Sequence, residues 1–489
     1  MFKINKPIVN HIDITGMTDD EVLEQMKPRT AIFGKYAGAG KTYYCLQYVK
    51  KHLEQWKEEN PDFKFYVLYV SPTNILKSRV EAENPDFKCI TLSALIGYSN
   101  SEGVMTNETN IDKLGVRAVI IDEIFMSSIK QLSYLARYIK KHPDIIFFCT
   151  GDPNQTKPVS WTLNNVKDHK KYMYNAITEH IFPNVITLNT IHRLKNPEHK
   201  EKHKAFHADL FNEEIEIMTT IEKYFKDNLV NSNTCKTLTD SNICYFKFRR
   251  ADVINRIMKQ KNKKSYCVGD VIIVVKEFSL VSSSKKSSTR FHVNTYYNIV
   301  AIDEKSTRIE HAISKEVYDL KNSFLENFML FYCPTCHSIQ GDTIKKGTTT
   351  TIFDINTPYV SREWIYTAIT RFEDFDDMRI FIHSNKSVLS LENSKLTQYL
   401  KQKLNGYNHQ DKTKDRESDL ITLSETLEKI KENPKCALCR DSIYFVLRNG
   451  EVVTNFTLDR IENSEGHTSE NCRVCCLDCN RLMMDKEFF

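Results

Sequence analysis

Ala31-Ile32-Phe33-Gly34-Lys35-Tyr36-Ala37-Gly38-Ala39-Gly40-Lys41-Thr42 is the stretch on which the fold turns. Three apolar residues read as a short buried strand. A glycine-rich turn follows, and Thr42 through Leu53 (TYYCLQYVKKHL) reads as a helix. Strand, glycine-rich turn and helix in that order make a cradle for phosphate. Gly38 and Gly40, on either side of Ala39, let backbone N–H groups wrap the anion. Lys41 pairs with its outer phosphates, the Thr42 hydroxyl reaches a Mg²⁺ ion, and the helix N-terminus adds a favourable dipole. One detail departs from the strict spacing. Five residues before Gly40 stands Lys35, and Gly34 comes one residue early, so the loop is expected to bulge.

Outward from this loop, Lys64–Val70, Val116–Ile121 and Ile145–Thr150 are further apolar strands separated by helical stretches. That pattern predicts a parallel sheet covered on both faces. The strand ending at Ile121 delivers Asp122 and Glu123 to the sheet edge. Asp122 is suited to hold Mg²⁺ through water, and Glu123 to orient and deprotonate an attacking water. Val185–Leu188, Ile243–Phe248, Phe328–Tyr332 and Met378–Ile382 predict a second α/β domain. Within it, VGDVIIVVKE, FHVNTYYNIVAIDE and TRIEHA predict a small inserted β-domain.

The whole chain agrees with this scale. It has 489 residues, 41% hydrophobic and 27% charged, with only 14 glycines and 13 prolines. That suits about three globular domains and excludes disordered or collagen-like chains. The net charge of +5 is compatible with a nucleic-acid partner without identifying one. No apolar run approaches the ~18 residues of a membrane span, and MFKINKPIVNHIDITGMTDDEV has no apolar signal region. The expectation is an intracellular protein, cytoplasmic or nuclear, with no membrane partner and no structural disulfides.

In order along the chain, further short segments extend the pattern. They are Ser71-Pro72-Thr73-Asn74, Thr91-Leu92-Ser93, Gly151-Asp152-Pro153-Asn154-Gln155 and His192-Arg193-Leu194. Thr335-Cys336-His337-Ser338-Ile339-Gln340-Gly341-Asp342-Thr343 and Tyr366-Thr367-Ala368-Ile369-Thr370-Arg371 follow. With the phosphate loop and its acid partner, this series resembles superfamily 1 helicases over residues 31–371. The form of the 335–343 segment and the β insertion resemble the 1B group, of RecD and Dda kind. The resemblance implies an ATP-dependent DNA helicase, running 5′→3′ on single-stranded DNA. Its partners would be single-stranded and tailed double-stranded DNA, with replication or recombination proteins as candidate protein partners.

The implied fold is two RecA-like P-loop domains facing each other across one ATP, with an SH3-like β insert. Their bounds are 1–185 for the first, 186–259 with 331–395 for the second, and 260–330 for the insert. Lys41, Thr42, Asp122, Glu123 and Gln155 would come from the first domain, and Arg193, Gln340 with Gly341, and Arg371 from the second. Gln155 would sense the γ-phosphate and Arg371 would be the arginine finger. Pro72, Thr73, Thr91, Ser93, Thr335 and His337 would touch the DNA strand. Trp161 and Trp364 read first as core aromatics, with base stacking as the other reading.

Residues 396–432 read as a charged linker, and the C-terminal end has a different character. Six of the 14 cysteines lie from Cys436 onward. Cys436-x₂-Cys439 and Cys476-x₂-Cys479 offer four thiolates, a tetrahedral Zn²⁺ set, with Cys472 and Cys475 as spare thiols. Asp459-Arg460-Ile461, Gly466-His467-Thr468, Asn471 and Cys479-Asn480 resemble the zinc-bearing HNH endonucleases. A ββα zinc module over 433–489 is implied, with Asp459 and Asn471 as its metal-binding pair. The family's base histidine is Arg460 here, and an arginine does not act as a base near neutral pH. Two readings of the module stay open: DNA cleavage with altered chemistry, or zinc-stabilised DNA binding. For the chain as a whole, an ATP-switched remodelling protein and an RNA helicase remain the alternatives. A compact helicase with such a module would suit a virus or mobile element.

Overall fold

The computed structural model describes residues 9–71, 73–97, 108–156, 177–281, 288–357, 360–382, 391–416, 419–434, 436–438, 443, 445–448, 451–477 and 480. In its first sheet, seven strands run parallel in the order β1-β7-β2-β6-β5-β3-β4. They are β1 Asn10–Ile12, β2 Thr30–Gly34, β3 Val67–Ser71, β4 Phe87–Thr91, β5 Ala118–Ile121, β6 Ile146–Gly151 and β7 Asn184–Leu188. Successive side chains of a strand point to opposite faces, and here both faces are apolar. Ala31, Phe33, Val119 and Ile121 pack into one core with Leu132 and Leu135 of helix Ile129–Lys141. Ile32, Ala118 and Ile120 pack into the other with Cys45, Val49 and Leu53 of helix Lys41–Glu59. Each fully buried Val, Leu or Ile side chain among them contributes roughly 1.5–3 kcal/mol relative to exposure.

A second sheet has four short parallel strands, in the order Leu229–Val230, Met378–Phe381, Thr350–Ile352, Ser241–Ile243. Helices Pro197–Leu210, Ile217–Phe225 and Arg362–Ile369 cover it, through Phe206, Ile221, Phe225, Ile365 and Ile369. An antiparallel sheet of five strands lies between these parts in sequence, from Val271–Val274 to Phe328–Leu330. Phe278–Val281 and Ser288–Phe291 form a separate two-stranded ladder beside it.

Three expectations about the second α/β domain need correction. Asn184–Leu188 joins the first sheet, between β1 and β2, so a domain boundary at 185/186 cuts through a strand. Phe328–Leu330 pairs with Val271–Val274 in the antiparallel sheet. Beyond Ser241–Ile243, the stretch expected to stay extended turns into helix Lys247–Gln260. Short apolar strands carry no label of the sheet they join; pairing partners decide it.

The chain divides into two units, and all the elements above belong to the first. The second consists mainly of residues 383–489. It holds helices Ser394–Thr413 and Leu423–Glu432, the antiparallel pair Phe445–Arg448 with Glu451–Thr454, and the pair Phe456–Arg460 with Cys472–Cys476. Its core contains Leu396, Leu400, Leu404, Ile421, Ile430, Phe456, Leu458 and Val474. Residues 396–432 are therefore not a solvated linker. Leucines four apart put one apolar stripe on the helix, and burying that stripe outweighs the surrounding charge. Among the described residues, no helix is long and apolar enough to cross a membrane.

Candidate functional site

Three loops at the C-terminal edge of the first sheet meet residues of the second parallel domain in a cleft of about 440 Å³. The phosphate loop supplies one wall. Gly34 ends β2, and a side chain there would lie 2.9 Å from the Tyr36 carbonyl oxygen. Gly38 sits at φ +74°, with Arg193 so close that a Cβ would come within 2.6 Å of it. Gly40, at φ +86°, caps helix Lys41–Glu59. Gly38, Ala39, Gly40, Lys41 and Thr42 all line the cleft. Lys41 Nζ reaches to 3.9 Å from Glu123 Oε1.

Asp122 follows β5 and is fixed from several strands. Its carboxylate accepts hydrogen bonds from the Tyr69 hydroxyl, from Thr150, and from Thr42 at 3.2 Å. This arrangement puts the Thr42 hydroxyl and Asp122 together, as a Mg²⁺ ion bound to phosphate requires. Glu123 is buried and adopts a left-handed backbone at φ +49°, ψ +52°. Such a conformation costs a non-glycine residue about 1–3 kcal/mol and is concentrated at functional sites. Its amide is held by Asp122 at 3.1 Å and Thr150 at 3.3 Å. Burial raises its carboxyl pKa; the Lys41 charge opposes this and Asp122 adds to it. Asp152 is buried too, and burial likewise raises it, against hydrogen bonds from Asn154 and Gln155.

The second domain supplies the arginines. Arg371 is 1% exposed; it donates to Gln155 Oε1 at 2.9 Å, to the Thr367 carbonyl at 3.0 Å and to the Asp342 carbonyl at 3.3 Å. Arg193 donates to the Thr370 carbonyl. Burial, with Arg371 alongside, lowers its guanidinium to about 9, so it stays charged at neutral pH. Gly341 lines the cleft at φ +92°, against Leu76. Gln340 departs from expectation: it does not line the cleft, and its side chain accepts from the Thr156 hydroxyl instead.

Several participants carry no signal in the sequence. Tyr69 and Thr150 look like ordinary strand residues, yet they orient Asp122. Arg79, on helix Asn74–Glu83, also lines the cleft and pairs with Asp342.

The expected strand contacts that are described, Thr73, Thr91, Ser93, Thr335 and His337, lie in the same unit, at strand ends, in short helices or beside them. Thr73 and Thr91 cap helices, accepting from the amides of Leu76 and Ala94 at 3.3 Å. Ser93 accepts from Gln131 at 3.2 Å, and Thr335 donates to Ser338 at 3.3 Å. His337 is held neutral, its pKa lowered to about 4 by burial. Pro72 and Trp161 lie outside the described residues. Trp364 is fully buried against Tyr245, a core residue rather than a base-stacking platform.

In the second unit, Cys436, Cys475 and Cys476 form one small buried cluster. Burial, with Cys436 next to it, raises the Cys475 thiol. Cys439 and Cys479 lie outside the described residues. Of the four cysteines expected to bind zinc, the described residues thus hold Cys436 and Cys476, buried in one cluster with Cys475. Asp459 and Asn471 fit a metal pair poorly. Arg473 binds Asp459 at 2.7 Å. Asn471 accepts from the Glu462 amide at 2.8 Å and donates to the carbonyls of Glu462 and Gly466 at 3.0 and 2.9 Å. Its amide is committed to closing the loop. Among the described residues, the group spaced as metal ligands would be is His199, Asp374 and Asp376. That trio is already partnered, by the Phe375 amide on His199 and by Lys346 at 3.1 Å from Asp374.

Residues 21–223 match the family model of an AAA domain. No curated protein matches the chain. Among solved structures, the chain is similar to Bacteroides Pif1 bound to single-stranded DNA, at 15% identity, covering 74% of this chain and 91% of that one, with a TM-score of 0.45. It is similar also to the Pif1 helicase of Candida albicans, at 14% identity, covering 78% and 97%, with a TM-score of 0.47.

Proposed function

We propose that the chain is an ATP-hydrolysing enzyme that uses the cleft to drive a DNA helicase or translocase, 5′→3′ on single-stranded DNA. The observation that carries this reading is the composition of the cleft. Lys41, Thr42, Asp122, Glu123 and Gln155 approach from one domain, and Arg193 and Arg371 from the other. The match of residues 21–223 to an AAA domain supports it.

Each group has a role that follows from its place. Gly38, Ala39, Gly40 and Lys41 bind the phosphates of ATP. Thr42 and Asp122 would hold a Mg²⁺ ion, which would supply charge neutralisation at the terminal phosphates. Glu123 accepts a proton from the attacking water. Gln155 and Arg371 meet the γ-phosphate, and Arg193 and Arg371 stabilise charge as the bond to it breaks. Because the arginines come from the second domain, closure follows the γ-phosphate and hydrolysis releases it. Thr73, Thr91, Ser93, Thr335 and His337, with Pro72, would grip the strand in alternation. His337, being neutral, would contribute a hydrogen bond or ring contact rather than charge.

The second unit fits a DNA-binding module better than a cutting one. Arg460 stands in place of the base, and Asn471 is committed to its loop. Cys436, Cys439, Cys476 and Cys479 would hold its zinc.

The test is ATP turnover by the full chain with Mg²⁺, with and without single-stranded DNA, beside Lys41→Ala. Turnover that rises with DNA and vanishes in the variant supports the reading. Turnover undiminished in Lys41→Ala overturns it.

A further inference from the structure

The phosphate loop is one residue longer than its strict pattern, and the structure shows where the extra length goes. Gly34 is the opening glycine, since only a hydrogen fits against the Tyr36 carbonyl. The tip that follows, Tyr36-Ala37, leaves its own domain. Ala37 is 1% exposed and packs in the core of the second parallel domain, together with Phe206, Tyr366 and Ile369. The Tyr36 ring packs against the same core, edge-on to His207 at 5.3 Å and His203 at 5.9 Å.

A hydrogen bond fixes the tip. The Ala37 amide donates to the Tyr366 hydroxyl oxygen at 2.8 Å. Tyr366 lies on helix Arg362–Ile369, five residues before Arg371. Its oxygen is 3.0 Å from His203 Nε2. With Tyr366 donating to Nε2, the network leaves one buried group unpaired, His203 Nδ1. The opposite tautomer would strand both Nδ1 and the tyrosine proton, so the first is favoured. Burial lowers His203 to about 3, which keeps the ring neutral and able to accept that proton.

We propose that Tyr366 is a positioning residue that sets the shape of the phosphate loop from across the cleft, through the docked tip Tyr36-Ala37. The helix that leads into Arg371 thereby also holds the loop that carries Lys41. The amide of Ala37 is committed to Tyr366, so the loop reaches its phosphate-binding form with that domain in place. This inference rests on the ATPase reading of the cleft.

The contact belongs to the closed state, in which the arginines reach the phosphate. Losing it affects kcat more than KM. The experiment measures steady-state ATP turnover by the full chain with single-stranded DNA. It compares wild type, Tyr366→Phe, Tyr36→Ala and the double variant, with Tm confirming that each folds. Loss of one buried hydrogen bond predicts a fall in kcat of roughly tenfold for Tyr366→Phe, with KM within about twofold. Tyr36→Ala is expected to fall in the same way, and the double variant to be little worse than either. Unchanged kcat in Tyr366→Phe, a loss confined to KM, or additive losses overturn the proposal. No turnover by the wild type overturns the ATPase reading, and this inference with it.

Discussion

The Arg371 guanidinium donates to Gln155 Oε1 at 2.9 Å, from the second parallel domain to the first. The two residues are far apart in sequence and meet where the γ-phosphate would sit. Arg371→Ala should lower kcat by a factor on the order of 10³ while leaving ATP binding nearly intact. Stopped-flow turnover beside a fluorescent-nucleotide titration checks this. A variant that binds ATP far more weakly but turns over normally when saturated would assign Arg371 to binding alone.

Glu123 combines a left-handed backbone, burial and a raised carboxyl pKa. As the proposed base, it would accept the water's proton only when ionised. The acid limb of kcat should therefore lie above the ordinary glutamate value of about 4.5. Glu123→Gln should abolish turnover and keep nucleotide binding. A pH-rate profile of the wild type, with a binding assay on the variant, measures both.

His203 predicts how stability depends on pH. Its folded pKa is lowered to about 3 from 6.5. An unfolded chain takes up that proton below about pH 6.5, and the folded chain does so only near pH 3. The contribution of His203 is thus fully present above pH 6.5 and falls as pH drops toward 3. Tm should decline over that window, and His203→Gln should make the decline shallower. His337, lowered to about 4, acts in the same direction and is present in both proteins, so the comparison isolates His203.

For the second unit, the cysteine set predicts about one zinc per chain. Metal analysis of the purified full chain measures it. Cys436→Ser or Cys476→Ser should lose the metal, whereas Cys472→Ser should keep it. Retention in both Cys436→Ser and Cys476→Ser would refute the assigned ligands.

Local chemistry was legible in the sequence where it is written in consecutive residues. Gly38 through Thr42 line the cleft, as does the Asp122-Glu123 pair, because a strand–turn–helix fixes its own geometry. Even the departure at Lys35 carried information, since it marked the lengthened loop. What stayed hidden depends on contacts distant in sequence. Tyr69 and Thr150 hold Asp122 from neighbouring strands, and Tyr366 holds Ala37 from another domain. Strand β7 joins the first sheet and not the second for the same reason, since its partners β1 and β2 lie far from it in the chain. Leu396, Leu400 and Leu404 were a legible signal that local charge obscured; their four-residue spacing marks a buried helix face.

Strand separation on DNA is the work proposed for the cleft. Its most direct test is release of a labelled strand from duplexes bearing a 5′ or a 3′ single-stranded tail, with ATP and Mg²⁺, resolved on native and denaturing gels. We expect full-length strand released from the 5′-tailed duplex only, dependent on ATP and lost in Lys41→Ala. Release without ATP, or no release from either duplex despite ATP turnover, would contradict the claim.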